Sequence, residues 1–346
     1  MRLPPRWVRR LLGPIVLVVA WALMVLLLPV LALVAAVVSL CLPGRWRGLR
    51  LLGFVVAGLT VELLALVAAA TMWVASGFGA RLHTPRYELA HYRVLRIGLS
   101  AIVKAAQRLF HLQLETDEVS WSPLDDGVPG STNAMVVLAR HAGPGDSLLL
   151  LDTLMNRDHL REPRTVLKDT LQLDPVADVF FNRLPSRFID PDPQDGDDVE
   201  ATIASLAADL DDEDALLIFP EGGNFTRRRW VNAIARLRQR GHAAYADQAQ
   251  TMPNVLPPRP GGVSAALSAA PHADVVFVAH TGLEHLSTIR DIWREIPQEK
   301  TLYLRWWFHS AAEVPRDEAQ QLAWLFECWA DIDSWIAAHP STDARR

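Results

Sequence analysis

The chain has 346 residues, half of them hydrophobic, with 39 acids against 34 bases, which allows about two domains on a prior of roughly 150 residues each. Residues 1–80 hold seven Lys and Arg against a single acid, Glu62, whereas the rest of the chain carries 27 bases against 38 acids. That acidic balance argues against non-specific nucleic-acid binding, and two cysteines without paired spacing, Cys41 and Cys328, suggest neither a disulfide framework nor a zinc site.

From Leu11 to Gly44 no residue is charged, and from Leu51 to Ala80 only Glu62 is. A membrane span needs about 20 apolar residues, so both stretches qualify, and residues 1–80 read as a two-helix membrane anchor. A cleaved signal peptide fits less well, because Ala20-Trp21-Ala22 is followed by more apolar sequence where a polar cleavage zone belongs. Four arginines before the hairpin and Arg81, Arg86, Arg93 and Arg96 after it outnumber Arg45, Arg47 and Arg50 in its loop. On that bias the remainder of the chain is expected on the cytoplasmic side. A hairpin lying in the plane of one leaflet is the alternative, with Pro29 a site for a kink.

Residues 81–111 alternate Arg and Lys with Leu, Ile and Phe at helical spacing and predict a basic amphipathic helix, either against the membrane surface or packed on the third segment, 112–346. Ser122 to Thr132, rich in Pro, Gly and Asp, reads as a surface loop. Ala134 to Arg140 is then a buried-strand pattern, followed by His141, a Gly- and Pro-containing turn, and Asp146 opening an apolar helix. Such a turn brings Asp146 back to the imidazole at a strand's carboxyl end, where ligand sites of open α/β sheets gather. A carboxylate on Nδ1 fixes the tautomer and leaves Nε2 to take a proton from an attacking hydroxyl.

His242 and Asp247 repeat the spacing, but His242 lies in the run Arg227 to Ala246, which reads as one helix, and residues five apart do not share a helix face. A second strand, Ala215 to Phe219, ends in Pro220-Glu221-Gly222-Gly223-Asn224, and Arg227, Arg228 and Arg229 open the following helix, where backbone NH groups and cations suit a phosphate. The acidic run Asp192 to Glu200 reads as a solvated loop, lacking a glycine-centred calcium pattern. The tryptophans at 306, 307, 324, 329 and 335 read mostly as core.

His141 with Asp146, and Phe219-Pro220-Glu221-Gly222 downstream, resemble the signature of the glycerophospholipid acyltransferases related to 1-acylglycerol-3-phosphate acyltransferase. Between them, Lys168, Leu171, Pro175 and Phe188-Ile189-Asp190 resemble the family's intermediate block, and Val255 to Arg259 with Gly261-Gly262 its fourth, so the likeness runs from about His111 to Thr281. Asp274 to Ala279, Arg305, Pro315 and Trp324 to Trp335 look similar to the lysocardiolipin and lysophosphatidylinositol acyltransferase branch. Where the family has Gly-Thr-Arg-Ser, this chain has Gly222-Gly223-Asn224-Phe225, so the arginine that would hold an acceptor phosphate is missing from its place.

The resemblance implies an α/β fold, an αβα acyltransferase domain with a mixed sheet behind the membrane hairpin. It also implies direct acyl transfer from a thioester of CoA or acyl carrier protein onto a lysophospholipid hydroxyl at a lipid bilayer, with no cofactor. His141 would be the base and Asp146 its orienting partner; Pro220, Glu221 and Gly222 would form a second wall, and Arg227, Arg228, Lys168 and Arg259 would hold phosphate. Independently, no Ser sits in a Gly-x-Ser-x-Gly turn, and no Gly-x-Gly-x-x-Gly, Gly-Lys-Ser/Thr or metal-spaced His/Cys group occurs. Two other classes compete: a non-catalytic lipid- or partner-binding protein that keeps the fold, and, below it, a metal-dependent hydrolase.

Overall fold

The computed structural model describes residues 3–41, 46–117, 133–143, 145–156, 161–190, 199–283 and 300–340, with Trp293 and Ile296. The loop expected at Ser122–Thr132, the acidic residues 192–198 and part of the connection between the two apolar stretches lie outside the described residues. Three helices come first: α1 (Arg6–Cys41), α2 (Arg47–Ala75) and α3 (Pro85–Phe110). Then follow β1 (Gln113–Asp117), β2 (Met135–Ala139), α4 (Asp146–Asn156), β3 (Glu162–Lys168), a 3-10 turn (Asp169–Leu173), α5 (Pro175–Phe181), β4 (Arg187–Ile189) and α6 (Val199–Ala207). The chain continues through β5 (Asp214–Ile218), α7 (Arg227–Gln239), α8 (Ala243–Gln250), α9 (Pro260–Ala269), β6 (Asp274–Thr281), β7 (Thr301–His309) and α10 (Glu318–Ala338).

The strands form one seven-stranded sheet in the order β1-β7-β6-β2-β5-β3-β4. Every pairing is parallel except β6 with β7, which makes the sheet mixed, as expected. Its centre is set by β2, β5 and β6, whose continuous apolar runs are buried at every position. Runs of that kind suit parallel strands covered on both faces. On one face Val136, Leu138, Leu216, Val275 and Phe277 pack with α6, α7, α9 and α10; on the other Met135, Val137, Leu217 and Val276 pack with Leu150 and Leu154 of α4. The architecture is the expected αβα layering.

Trp306, Trp329 and Trp335 are buried, and Trp307 and Trp324 pack against the first core, so the core reading of these residues holds. The expectation of one helix from Arg227 to Ala246 is corrected. Gly241, at φ 83°, breaks it into α7 and α8 and leaves His242 as the residue before α8. Asp247 instead pairs with Arg238 at 2.9 Å on the surface.

Helices α1 and α2 are both long and apolar enough to cross a membrane, and they pair along their length, with Trp21 Nε1 donating to Thr60 Oγ1 at 3.1 Å. The hairpin lies against the rest of the fold. Ala65 and Ala69 of α2 pack on Val94 and Leu95 of α3 and on Phe180 of α5, and Phe54 lies 4.9 Å from Phe110, ring to ring. Helix α3 in turn sends Leu99 and Val103 into the core beside α4, so it is packed on the domain as well as on the anchor.

Both ends of the hairpin are tied down. At the start of α1, Arg9 and Arg10 reach the buried carboxylate of Asp178 in α5 at 3.0 and 3.4 Å. At the start of α2, Arg47 Nε donates to the Ile296 carbonyl at 2.7 Å and Arg50 Nη1 to the Leu109 carbonyl at 2.7 Å. Helix α5 follows the carboxyl end of β3, and Ile296 precedes β7, which starts beside the end of β6. Both tethers therefore sit at the carboxyl edge of the parallel strands, and the outward apolar side chains of α1, from Leu11 to Leu40, run between them.

If these ties persist in a bilayer, the loop is expected on the domain's side of it, the in-plane alternative. With Gly44→Cys or Ser341→Cys as the single cysteine in a Cys41→Ser, Cys328→Ser background, an impermeant thiol reagent on sealed vesicles is expected to label both from the same side. Labelling from opposite sides would mean that the hairpin swings away and spans.

Candidate functional site

Strand β2 ends at Ala139, and the chain stays extended long enough for the Arg140 NH to donate to the Val278 carbonyl of β6 at 3.0 Å. His141 follows, and the chain then turns back into α4, whose first residue is Asp146. The turn needs its glycines: any side chain at Gly143 would meet the Leu283 carbonyl oxygen at 2.7 Å, and Gly145 has φ 97°. Asp146 is buried and closes the turn upon itself. Its Oδ2 accepts from His141 Nδ1 at 2.8 Å, from the Ala142 NH at 2.9 Å and from the Gly143 NH at 3.2 Å, while Oδ1 accepts from the Ser147 NH at 2.6 Å.

Burial alone works to raise the Asp146 pKa, but the His141 hydrogen bond, the nearby His280, the charge on His141 and the Gly143 NH together hold it below the usual carboxylate range. An ionised Asp146 fixes the Nδ1–H tautomer of His141. The imidazole is 24% exposed, with the Phe219 ring alongside at 4.6 Å.

The turn after β5 is joined to this loop through the backbone: the Phe225 NH donates to the His141 carbonyl at 3.0 Å and the Arg259 NH to the Pro220 carbonyl at 2.9 Å. Pro220 and Glu221 are buried beneath it, and Gly222 is exposed at its tip. Neither Glu221 oxygen makes a well-aligned hydrogen bond. Burial pushes the Glu221 pKa from the usual 4.5 up to about 8, with Arg140 and the backbone of His141 and Leu256 offsetting part of that rise. At neutral pH the group is therefore a carboxylic acid, and the turn carries no negative charge there.

The cations expected around the turn are distributed unevenly. The Arg259 guanidinium lies over Gly222, where an added side chain would meet its Cζ at 2.8 Å, and Arg229 lies over Gly223, with Nη1 at 2.9 Å from such a side chain. Arg229 also donates to the Asn224 carbonyl at 3.0 Å. Partial burial and the neighbouring Arg236, Arg240 and Arg229 lower the Arg259 pKa, the signature of cations gathered in one place. Arg227 instead stacks on the Trp230 ring at 4.0 Å on its own helix, Arg228 is exposed on α7, and Lys168 is exposed at the end of β3, two strands from β2.

Two residues that the fold brings here had no individual role in the sequence. Arg229 was named only as one of three adjacent arginines suited to a phosphate, and its place over Gly223 singles it out. His280 has no motif around it, but the β2–β6 register pairs Ala139 with Val278, and continuing that register sets His141 level with His280. The second imidazole is fully buried, with Nε2 3.8 Å from Asp146 Oδ2.

The Glu221 acid sets a pH dependence of stability. Its folded pKa lies above the unfolded one, so the folded state keeps a proton that the unfolded state releases, and stability falls as pH rises from about 4.5 to about 8. Glu221→Gln removes that loss: variant and wild type are expected to melt together at pH 5, and the variant higher at pH 8. Parallel melting curves across that range would show Glu221 ionised in the fold.

Comparison with curated proteins finds no match. Residues 125–281, the stretch from before β2 to the end of β6 that carries His141, Asp146, the Pro220-Glu221-Gly222 turn and Arg259, match the family model described as Acyltransferase.

Proposed function

We propose that the chain is a membrane-associated O-acyltransferase that moves a fatty acyl group from a thioester of CoA or acyl carrier protein onto the free hydroxyl of a lysophospholipid. The observation that carries this reading is the His141–Asp146 pair, 2.8 Å apart, in a loop joined by a backbone hydrogen bond to the arginine-lined turn. His141 takes the proton of the acceptor hydroxyl, the oxygen attacks the thioester carbonyl, the carbon–sulfur bond breaks, and the departing thiolate takes the proton back from the imidazolium. Most of the rate comes from holding hydroxyl and carbonyl together beside a base of fixed tautomer.

The acceptor phosphate is assigned to Arg259 and Arg229, with Lys168, Arg227 and Arg228 farther out. Their placement over Gly222 and Gly223 supplies guanidinium groups beside the position where the family's arginine is missing. The missing arginine alone points to an acceptor with a substituted head group, of the lysophosphatidylinositol or lysocardiolipin kind. Two guanidinium groups already at the turn remove the ground for excluding lysophosphatidate, so both remain acceptors under this reading. The lipid would arrive from the leaflet that holds α1 and α2, because the hairpin is tied along the edge on which His141 opens. The domain is assigned to the cytoplasmic side because the arginines of the hairpin flanks and of its tied loop would all lie on that one side.

Initial rates with a labelled acyl thioester and a panel of lysophospholipids test the reading. His141→Ala and Asp146→Asn are expected to lower kcat by about 100-fold or more, the usual scale of lost general-base catalysis, while His242→Ala leaves it unchanged. An active His141→Ala variant would sink the assignment.

Arg259→Ala and Arg229→Ala are expected to raise KM for the lipid about tenfold, the scale of one charge-assisted contact, with Arg228→Ala near wild type. A rise confined to Arg228→Ala would move the phosphate to the outer face of α7.

A further inference from the structure

We infer that Arg236 and Arg240 of α7, together with Arg259, hold the nucleotide phosphates of a CoA donor, so that donor and lipid reach His141 from opposite faces of the sheet. The inference rests on the proposed acyl transfer from a thioester and narrows its donor to CoA.

The charge here is local and runs against the rest of the chain. Residues 81–346 carry 27 bases against 38 acids, yet residues 222–273 within them hold seven arginines and one acid, Asp247. Arg238 takes that acid, at 2.9 Å. At about 3.6 residues per turn, Arg229, Arg236 and Arg240 share one side of α7, and Arg238 points half a turn away. The three are exposed, and Arg259 stands among them: partial burial, then the neighbouring Arg236, Arg240 and Arg229, lower its pKa. Among the described residues, Arg236, Arg240 and Arg259 form no ion pair.

Four guanidinium groups held together by the fold without a carboxylate make a site for anions. An acceptor phosphate, with about one to two negative charges, matches Arg229 and Arg259 at the glycine turn. Arg236 and Arg240 lie about 10 and 16 Å farther along the helix axis than Arg229, past the reach of that phosphate. A second anion is needed there, and the other substrate supplies it. A CoA thioester presents its carbonyl at one end of a long pantetheine arm and its diphosphate and 3′-phosphate at the other. The arm spans the distance from the turn to the far half of α7.

The place of α7 in the fold argues against lipid head groups as the source. Its Trp230 and Ile234 pack on the sheet face that α6, α9 and α10 also cover, whereas α4 covers the other face, with α3 and the hairpin beyond it. With α1 and α2 in the leaflet, the face that α7 covers is turned to water. A carrier protein brings a single phosphodiester on the same arm, fewer charges than this group of arginines can take.

The test uses the full-length protein in detergent. Calorimetric titration with CoA alone reads the site without turnover. Arg236→Ala and Arg240→Ala are each expected to weaken CoA binding about tenfold, the scale of one charge-assisted contact, and the double variant further. Dephospho-CoA, which lacks the 3′-phosphate, should bind wild type more weakly and lose less in the variants. Arg238→Ala should bind CoA as wild type does. In initial rates, Arg236→Ala and Arg240→Ala are expected to raise KM for palmitoyl-CoA about tenfold. KM for palmitoyl-pantetheine, which has no phosphate, and KM for the lysophospholipid should stay unchanged.

CoA binding unchanged in the double variant overturns the inference. So does a rise in KM for palmitoyl-pantetheine equal to that for palmitoyl-CoA, which would make the arginines structural, and so does transfer from acyl carrier protein alone. Because the titration needs no turnover, CoA bound through these arginines with no acyl transfer from any thioester would count against the proposed function alone.

Discussion

Strand β2 lies between β5 and β6 in fixed parallel register, and the candidate site depends on that arrangement. The three runs are mostly apolar and buried at every position, so none can slide without exposing its side chains or stranding its ladder. The register decides which loops meet. It delivers His141 from β2, the Pro220-Glu221-Gly222 turn from β5 and His280 from β6 to one edge, and backbone hydrogen bonds from Phe225 and Arg259 then join the loops. Side-chain chemistry is added to a frame already made by main-chain groups and apolar burial.

Much of this frame could be read from the residues alone. The run Met135 to Ala139 is too apolar and too short for anything but a buried strand, and the Gly-Pro-Gly turn before Asp146 marks a reversal, so the His141–Asp146 pairing is a local matter. The hairpin was equally plain, because absence of charge over 30 residues is a signal that needs no partner. Helix α3 was legible as amphipathic, though not that it would be covered on both sides.

What escaped depends on pairings between distant segments. His280 is 139 positions from His141 and reaches it only through strand register. Arg229 and Arg228 are indistinguishable in sequence, and which of them lies over Gly223 is decided by the angle at which α7 leaves the turn, with Thr226 capping that helix by accepting from the Arg229 NH at 3.2 Å. The break at Gly241 was hidden for the opposite reason: Arg- and Ala-rich flanks have high helix propensity, and one glycine at positive φ overrides them.

The packing of α3 changes what the anchor is. Its inner residues Leu99 and Val103 belong to the core beside α4, while its outer residues Val94 and Leu95, with Phe180 of α5, are covered by Ala65 and Ala69 of α2. Residue 80 is thus a boundary in composition and not in packing. No cut on either side of α3 leaves two pieces that each keep a water-compatible surface: a fragment starting there would carry an uncovered apolar stripe, and one starting at β1 would lose part of its own core. Through α3 and α5 the two apolar helices are packed into the same body as the sheet that carries His141.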